Sequence, residues 1–142
     1  MEKWYKNVRA EVFNPRRNSI LKSMEKLEHL FQPIVAEAES ELKKALGRLF
    51  TGPIVRNYLP QAWVFVTEEE TISFTVDRNG NVKTVAGAPN PPDVIIQSDH
   101  AFLSEALRTR SKPKSGPIVW EIKFKTSKGE TAFGFLRKRL GL

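Results

Sequence analysis

Two histidines, His29 and His100, are the only imidazoles in the chain, and there is no cysteine. Without a thiol, a disulfide framework, a thiolate nucleophile and a cysteine-ligated metal are all excluded. Neither histidine belongs to a His-x-x-x-His pair or a carboxylate cluster with metal-ligand spacing. His29 lies beside an apolar helical stripe, where a structural role accounts for it. His100, between Asp99 and Ser104, has the residue types of a hydrolytic group nearby. Adjacent residues on a helix point about 100° apart, however, so Asp99 cannot orient His100. Glu68-Glu69-Glu70 offers carboxylates, yet a hard cation needs oxygens converging from several directions, and a polar turn explains the run better. Gly80, Gly87, Gly116 and Gly129 stand singly, so no phosphate-cradling loop is expected. These residues speak against an enzyme, and neither a metal nor a cofactor is expected.

Side chains that could bind rather than react are more plentiful. Trp63, Phe65, Phe74, Phe102, Trp120, Phe124, Phe133 and Phe135 form an aromatic set large enough to fill a core or line a groove. The net charge of +7 is unevenly spread: residues 61–100 carry two basic against six acidic side chains, residues 101–142 ten against three. A basic last third suits an anionic membrane surface or nucleic acid. For nucleic acid the phosphate contacts would be Arg108, Arg110, Lys112, Lys114, Lys123, Lys125 and Lys128, although no RNA-binding signature accompanies them.

The elements that position these residues follow from hydrophobic period. From Asn18 to about Phe50, apolar residues recur in steps of three and four, with Asn18 or Ser19 able to cap the start. Pro33 lacks the amide that would bond to His29, so a break or kink there, giving two helices, is expected. From Gln61 the period shortens: Ala62 to Val66 is continuously apolar, as in a central strand covered on both faces. Thr71 to Asp77 alternates, Asn79-Gly80 signals a hairpin with positive φ at both central residues, and Val82 to Ala86 returns. Pro89, Pro91 and Pro92 impose an extended loop before a strand at Asp93 to Gln97. Ser98 is expected to cap the next helix, which ends near Arg108; a basic loop, Arg110 to Pro117, follows. A strand from Ile118 to Thr126, a turn at Ser127-Lys128-Gly129 and a closing helix from Glu130 to Leu140 complete an α+β chain with a five-stranded, mostly antiparallel sheet covered by helices.

The run Pro92 to Leu107, PDVIIQSDHAFLSEAL, resembles the signature of the sterol carrier protein 2 (SCP2) lipid-binding family. The resemblance extends from Gln32 to Leu142 and makes residues 1–31 an N-terminal extension carrying the first helix. It implies an SCP2-like fold and a groove between sheet and helices, lined by Trp63, Phe65, Phe74, Phe102, Leu103, Leu107, Trp120, Phe124, Phe133 and Leu136. That groove would hold a lipid, a fatty acyl chain or a sterol-like molecule without chemistry. Where the family writes a compact turn before its closing helix, this chain has the longer, more polar Lys125 to Glu130.

At 142 residues one folded unit is the default. The chain shows no apolar signal-peptide core or run long enough to span a bilayer, and ends Leu140-Gly141-Leu142 rather than in a peroxisomal address; a cytoplasmic protein is expected. Three functions follow in order: apolar-ligand binding, nucleic-acid binding through the basic third, and oligomerisation or partner docking, a homodimer included, through the Asn18 to Phe50 helices.

Overall fold

The central strand owes its place to its composition. In β1 (Gln61–Val66) successive residues Trp63, Val64 and Phe65 are all buried, so neither face meets water. The computed structural model describes residues 26–88, 91–110 and 120–136. Within them β2 (Thr71–Val76) and β3 (Val82–Ala86) pair with β1 as an antiparallel meander. β4 (Val94–Ser98) lies parallel to β1 on its other side, and β5 (Trp120–Phe124) closes that edge antiparallel to β4. The five-stranded sheet therefore runs β3-β2-β1-β4-β5 and is mixed, with its one parallel seam at β1 and β4.

Register divides the sheet into two faces. Trp63 stands opposite Phe74 and Val94, and Phe65 opposite Ile72 and Ile96, so these side chains share an inner face. Val94 and Ile96 in turn face Phe124 and Ile122 of β5. Val64 opposes Ser73 and Ile95 on the outer face, and it stands apart from the main core. The link from β3 to β4 starts over this outer face, where the Gly87 carbonyl accepts the Ser73 hydroxyl.

Helix α1 (Leu27–Leu46) lays Leu27, Leu30, Phe31, Ile34 and Leu42 on the inner face. It is a single helix through Pro33, so the expected division into two helices there does not occur. Pro33 and His29 are both exposed, so the amide bond that proline removes, at about 3 kcal/mol in a helix interior, lies on the wet side. Burial of Leu30, Phe31 and Ile34 around it keeps the helix continuous. The helix ends at Leu46 rather than near Phe50, and a second short helix, α2 (Gly52–Arg56), starts with Pro53 in its first turn, where no amide is missed. The expected caps Asn18 and Ser19 lie outside the described residues, as do Lys112 and Lys114.

Three further expectations shift. The β2–β3 turn has positive φ only at Gly80, at 83°, because Asp77 bonds the amides of Asn79 and Asn81 and holds Asn79 in an ordinary conformation. Helix α3 (His100–Thr109) is capped by Asp99, whose carboxylate accepts the Ala101 amide, while Ser98 belongs to β4. Helix α4 (Ser127–Leu136) takes in Ser127-Lys128-Gly129 as its first turn, not as a separate turn. Thr126 caps it, its hydroxyl accepting the Gly129 amide at 3.0 Å.

Candidate functional site

Beneath α4 the inner face carries a run of aromatic rings. Phe133 lies 5.2 Å from Trp63 and 5.7 Å from Phe124, and Trp63 lies 6.0 Å from Phe74. Phe31 continues the run from α1, 5.8 Å from Phe74 and 4.9 Å from Phe65. Trp63, Phe65, Phe74 and Phe133 are buried, but Phe124 is 41 % exposed and forms the open end. Of the residues expected to line a groove, Phe74, Trp63, Phe133 and Phe124 therefore follow one another in contact, and Phe65 joins them through Phe31. Leu103 and Leu107 join the same core from α3, whereas Phe102 is half-buried and does not belong to it. The side chains of Trp120 and Leu136 lie outside what the structure describes.

The polar rim of this aromatic run sits at one end of α4. The Trp63 indole donates to Gln61 Oε1 at 2.9 Å, and Gln61 Nε2 donates to the Lys128 carbonyl in the first turn of α4 at 3.1 Å. Asp93 binds the same turn: Oδ1 accepts the Thr126 hydroxyl at 2.8 Å and Oδ2 the Ala62 amide at 2.9 Å. Lys128 Nζ adds a bond to the Pro60 carbonyl at 2.6 Å. Gly129 is required there, because a Cβ would stand 2.7 Å from the Asp93 carbonyl oxygen. The start of α4 is thus fixed by directional bonds, whereas the body of the helix is held by Ala132 and Phe133 alone among the described buried side chains.

A second, buried polar group joins the β1–β2 turn to α3. His100 Nε2 lies 3.0 Å from Glu70 Oε2, and His100 Nδ1 lies 3.3 Å from the Ser104 hydroxyl. Glu70 Oε2 also accepts the Leu27 amide at 3.1 Å, so it serves as a cap for α1 from across the molecule. Glu68 accepts the His100 amide at 2.9 Å. Burial pushes the Glu68 carboxyl from 4.5 up to about 7, against its backbone hydrogen bonds and with help from the charge of Asp99.

The order hydroxyl, imidazole, carboxylate is that of a hydrolytic triad, but Ser104 and His100 are 2 % and 3 % exposed. The bonds of this group fasten the β1–β2 turn, α1 and α3 to one another. Asp99 does not orient His100, as helix geometry required. Its true partner, Glu70, is thirty residues away and carries no sequence signal. Among the described residues no group of side chains could hold a metal ion.

The basic side chains are interleaved with acids. Arg108 pairs with Glu105, Arg110 with Glu37 and Lys123 with Glu121. No described helix is long and apolar enough to cross a membrane. Comparison with protein-family models, curated proteins and solved structures gives no match. The chain is an α+β protein built on a five-stranded mixed sheet.

Proposed function

We propose that the protein is a non-enzymatic binding module of SCP2 type, which takes an apolar ligand between the sheet and α4. The observation that carries this reading is the aromatic run from Phe74 through Trp63 and Phe133 to the half-exposed Phe124, beneath a helix whose described polar anchors to the sheet lie at its start. The element order, a helix region, a three-strand meander, a strand, a helix, a strand and a closing helix, supports the family resemblance of Pro92 to Leu107.

Entry would proceed from Phe124. Lifting Phe133 off Trp63 and Phe124 costs about 3–5 kcal/mol if nothing replaces the ring. A sixteen-carbon acyl chain gains roughly 12 kcal/mol gross on burial, at about 0.8 kcal/mol per methylene. The difference is what remains to offset immobilisation of the ligand. No charged group is needed in the slot, so binding should be nearly independent of salt.

Native mass spectrometry and displacement of a fluorescent fatty acyl probe test this directly. Wild-type protein is expected to retain or exchange lipid, and Phe124→Glu to weaken displacement more than tenfold at unchanged fold. If no lipid is retained or displaced, the proposal fails. Nucleic-acid binding with a log-log salt slope near −4.5, for about five neutralised phosphates, would install the basic third in its place.

A further inference from the structure

We infer that the reversal between α1 and α2 is a docking point for anionic bilayers, separate from the slot under α4 and independent of whether that slot is occupied. Leu49 and Phe50 at this tip are 82 % and 84 % exposed, and Ile54, one turn into α2, is 58 % exposed. Three large apolar side chains on one short segment depart from the habit of keeping such groups inside.

The tip is shaped rather than frayed. The Gly52 amide bonds the Arg48 carbonyl at 3.0 Å and the Val55 amide the Thr51 carbonyl at 2.9 Å, so α2 folds straight back on the end of α1. Gly52 makes this approach close enough that a Cβ there would lie 2.5 Å from the Leu46 carbonyl oxygen. The β2–β3 turn supports the base, with Gly80 against Leu46. Leu49 and Phe50 are consequently held out on a convex, hydrogen-bonded turn. A protruding turn has no walls for a small ligand, and it needs only a soft apolar layer to enter.

Charge selects the occupant. No acidic residue occurs between Glu41 and Glu68, while Lys43, Lys44, Arg48 and Arg56 all fall within that interval. Lys43 faces Asp77 of the β2–β3 turn. Lys44, Arg48 and Arg56 are exposed and make no ion pair among the described residues. Apolar side chains that protrude from a segment whose exposed charges are all cationic match the boundary between acyl chains and anionic headgroups, where side chains bury about 5–10 Å deep. A nucleic acid would satisfy the cations but leave Leu49 and Ile54 without a stacking partner.

Flotation of the full chain with phosphatidylserine-containing vesicles and with phosphatidylcholine vesicles tests the assignment. Wild-type protein is expected to float with the anionic vesicles and only weakly with the neutral ones. Removing Lys44, Arg48 and Arg56 together, as glutamines, should lower partitioning about a hundredfold, from about fivefold per cation. Leu49→Ser with Phe50→Ser should lower it at least tenfold with an unchanged thermal midpoint. Absence of flotation by wild-type protein, or flotation of the double serine variant equal to wild type, overturns the inference. So does a wild-type dimer in sedimentation that the serine variant dissolves, since the tip would then be a contact between copies. The soluble acyl-probe assay on the serine variant reads the slot separately, so failure of one reading leaves the other intact.

Discussion

Glu68 should make the protein lose stability as pH rises toward neutrality. The residue is 7 % exposed and its carboxyl titrates at about 7 instead of 4.5, chiefly because burial disfavours the anion. Between those values the native state keeps a proton that the unfolded chain has released. The stability tied to that proton is complete below pH 4.5 and falls away through about pH 7. At about 1.4 kcal/mol for each pH unit between the two values, the loss is at most about 3 kcal/mol, a large share of a small domain's total. Protonated Glu68 accepts the His100 amide and presents no charge to Asp99, and a glutamine can do the same. Glu68→Gln is therefore expected to match wild type near pH 4.5 and to exceed it by about 2–3 kcal/mol at pH 8. Urea unfolding of both proteins across pH 4.5–8 supplies the measurement, because subtracting the two curves removes every other titrating group. A difference that does not change with pH would refute the assignment of the proton to Glu68, and a glutamine variant less stable throughout would refute the bonding described for it.

Other perturbations give equally direct readings. Gly52→Ala should cost about 1–3 kcal/mol, since its Cβ meets backbone oxygen that cannot yield, whereas Gly47→Ala, with its nearest contacts at 3.5 and 3.6 Å, should be neutral or stabilising; the two thermal midpoints decide it. Asp93→Ala leaves the Ala62 amide and the Thr126 hydroxyl without their acceptor and should cost about 2–3 kcal/mol, with faster hydrogen exchange confined at first to the start of α4. Phe124→Glu should alter stability by no more than about 1.5 kcal/mol, the worth of its edge contact with Phe133, while weakening acyl-probe displacement more than tenfold. The tip variants at Leu49 and Phe50 should change vesicle flotation without changing the unfolding midpoint.

Much of the sheet was legible because its residues obey a simple period. Thr71 to Val76 alternates and is a strand with Ile72, Phe74 and Val76 inward; Val82–Ala86 has the bounds its pattern indicates. The uninterrupted apolar run of β1 marked a central strand because only burial on both faces tolerates it. Local rules failed where a distant partner changed the balance. Pro33 breaks helices in isolation, but the inner face of the sheet holds both sides of it. Gly129 reads as a turn residue, yet it sits in the first turn of α4 because Asp93 leaves no room for a side chain. In the same way, aromatic composition announced a core, but the meeting of Trp63 with Phe133 follows only from the crossover that brings β4, β5 and α4 back across the sheet. The bond between Glu70 and His100 joins two polar residues on separate elements, and periodicity carries no information about such a pair.

The parallel seam between β1 and β4 also governs what a growing chain exposes. β1 is complete at Val66, but the strand that closes its second edge begins only at Val94. On the ribosome the meander can pair as it emerges, while the amides and carbonyls along the free side of β1 wait for the rest of the sheet. A product truncated before Val94 would keep the most apolar strand of the molecule at a sheet edge, where it can recruit a strand from another chain. Shortened or stalled forms of this protein should therefore aggregate, even though the complete sheet buries that edge.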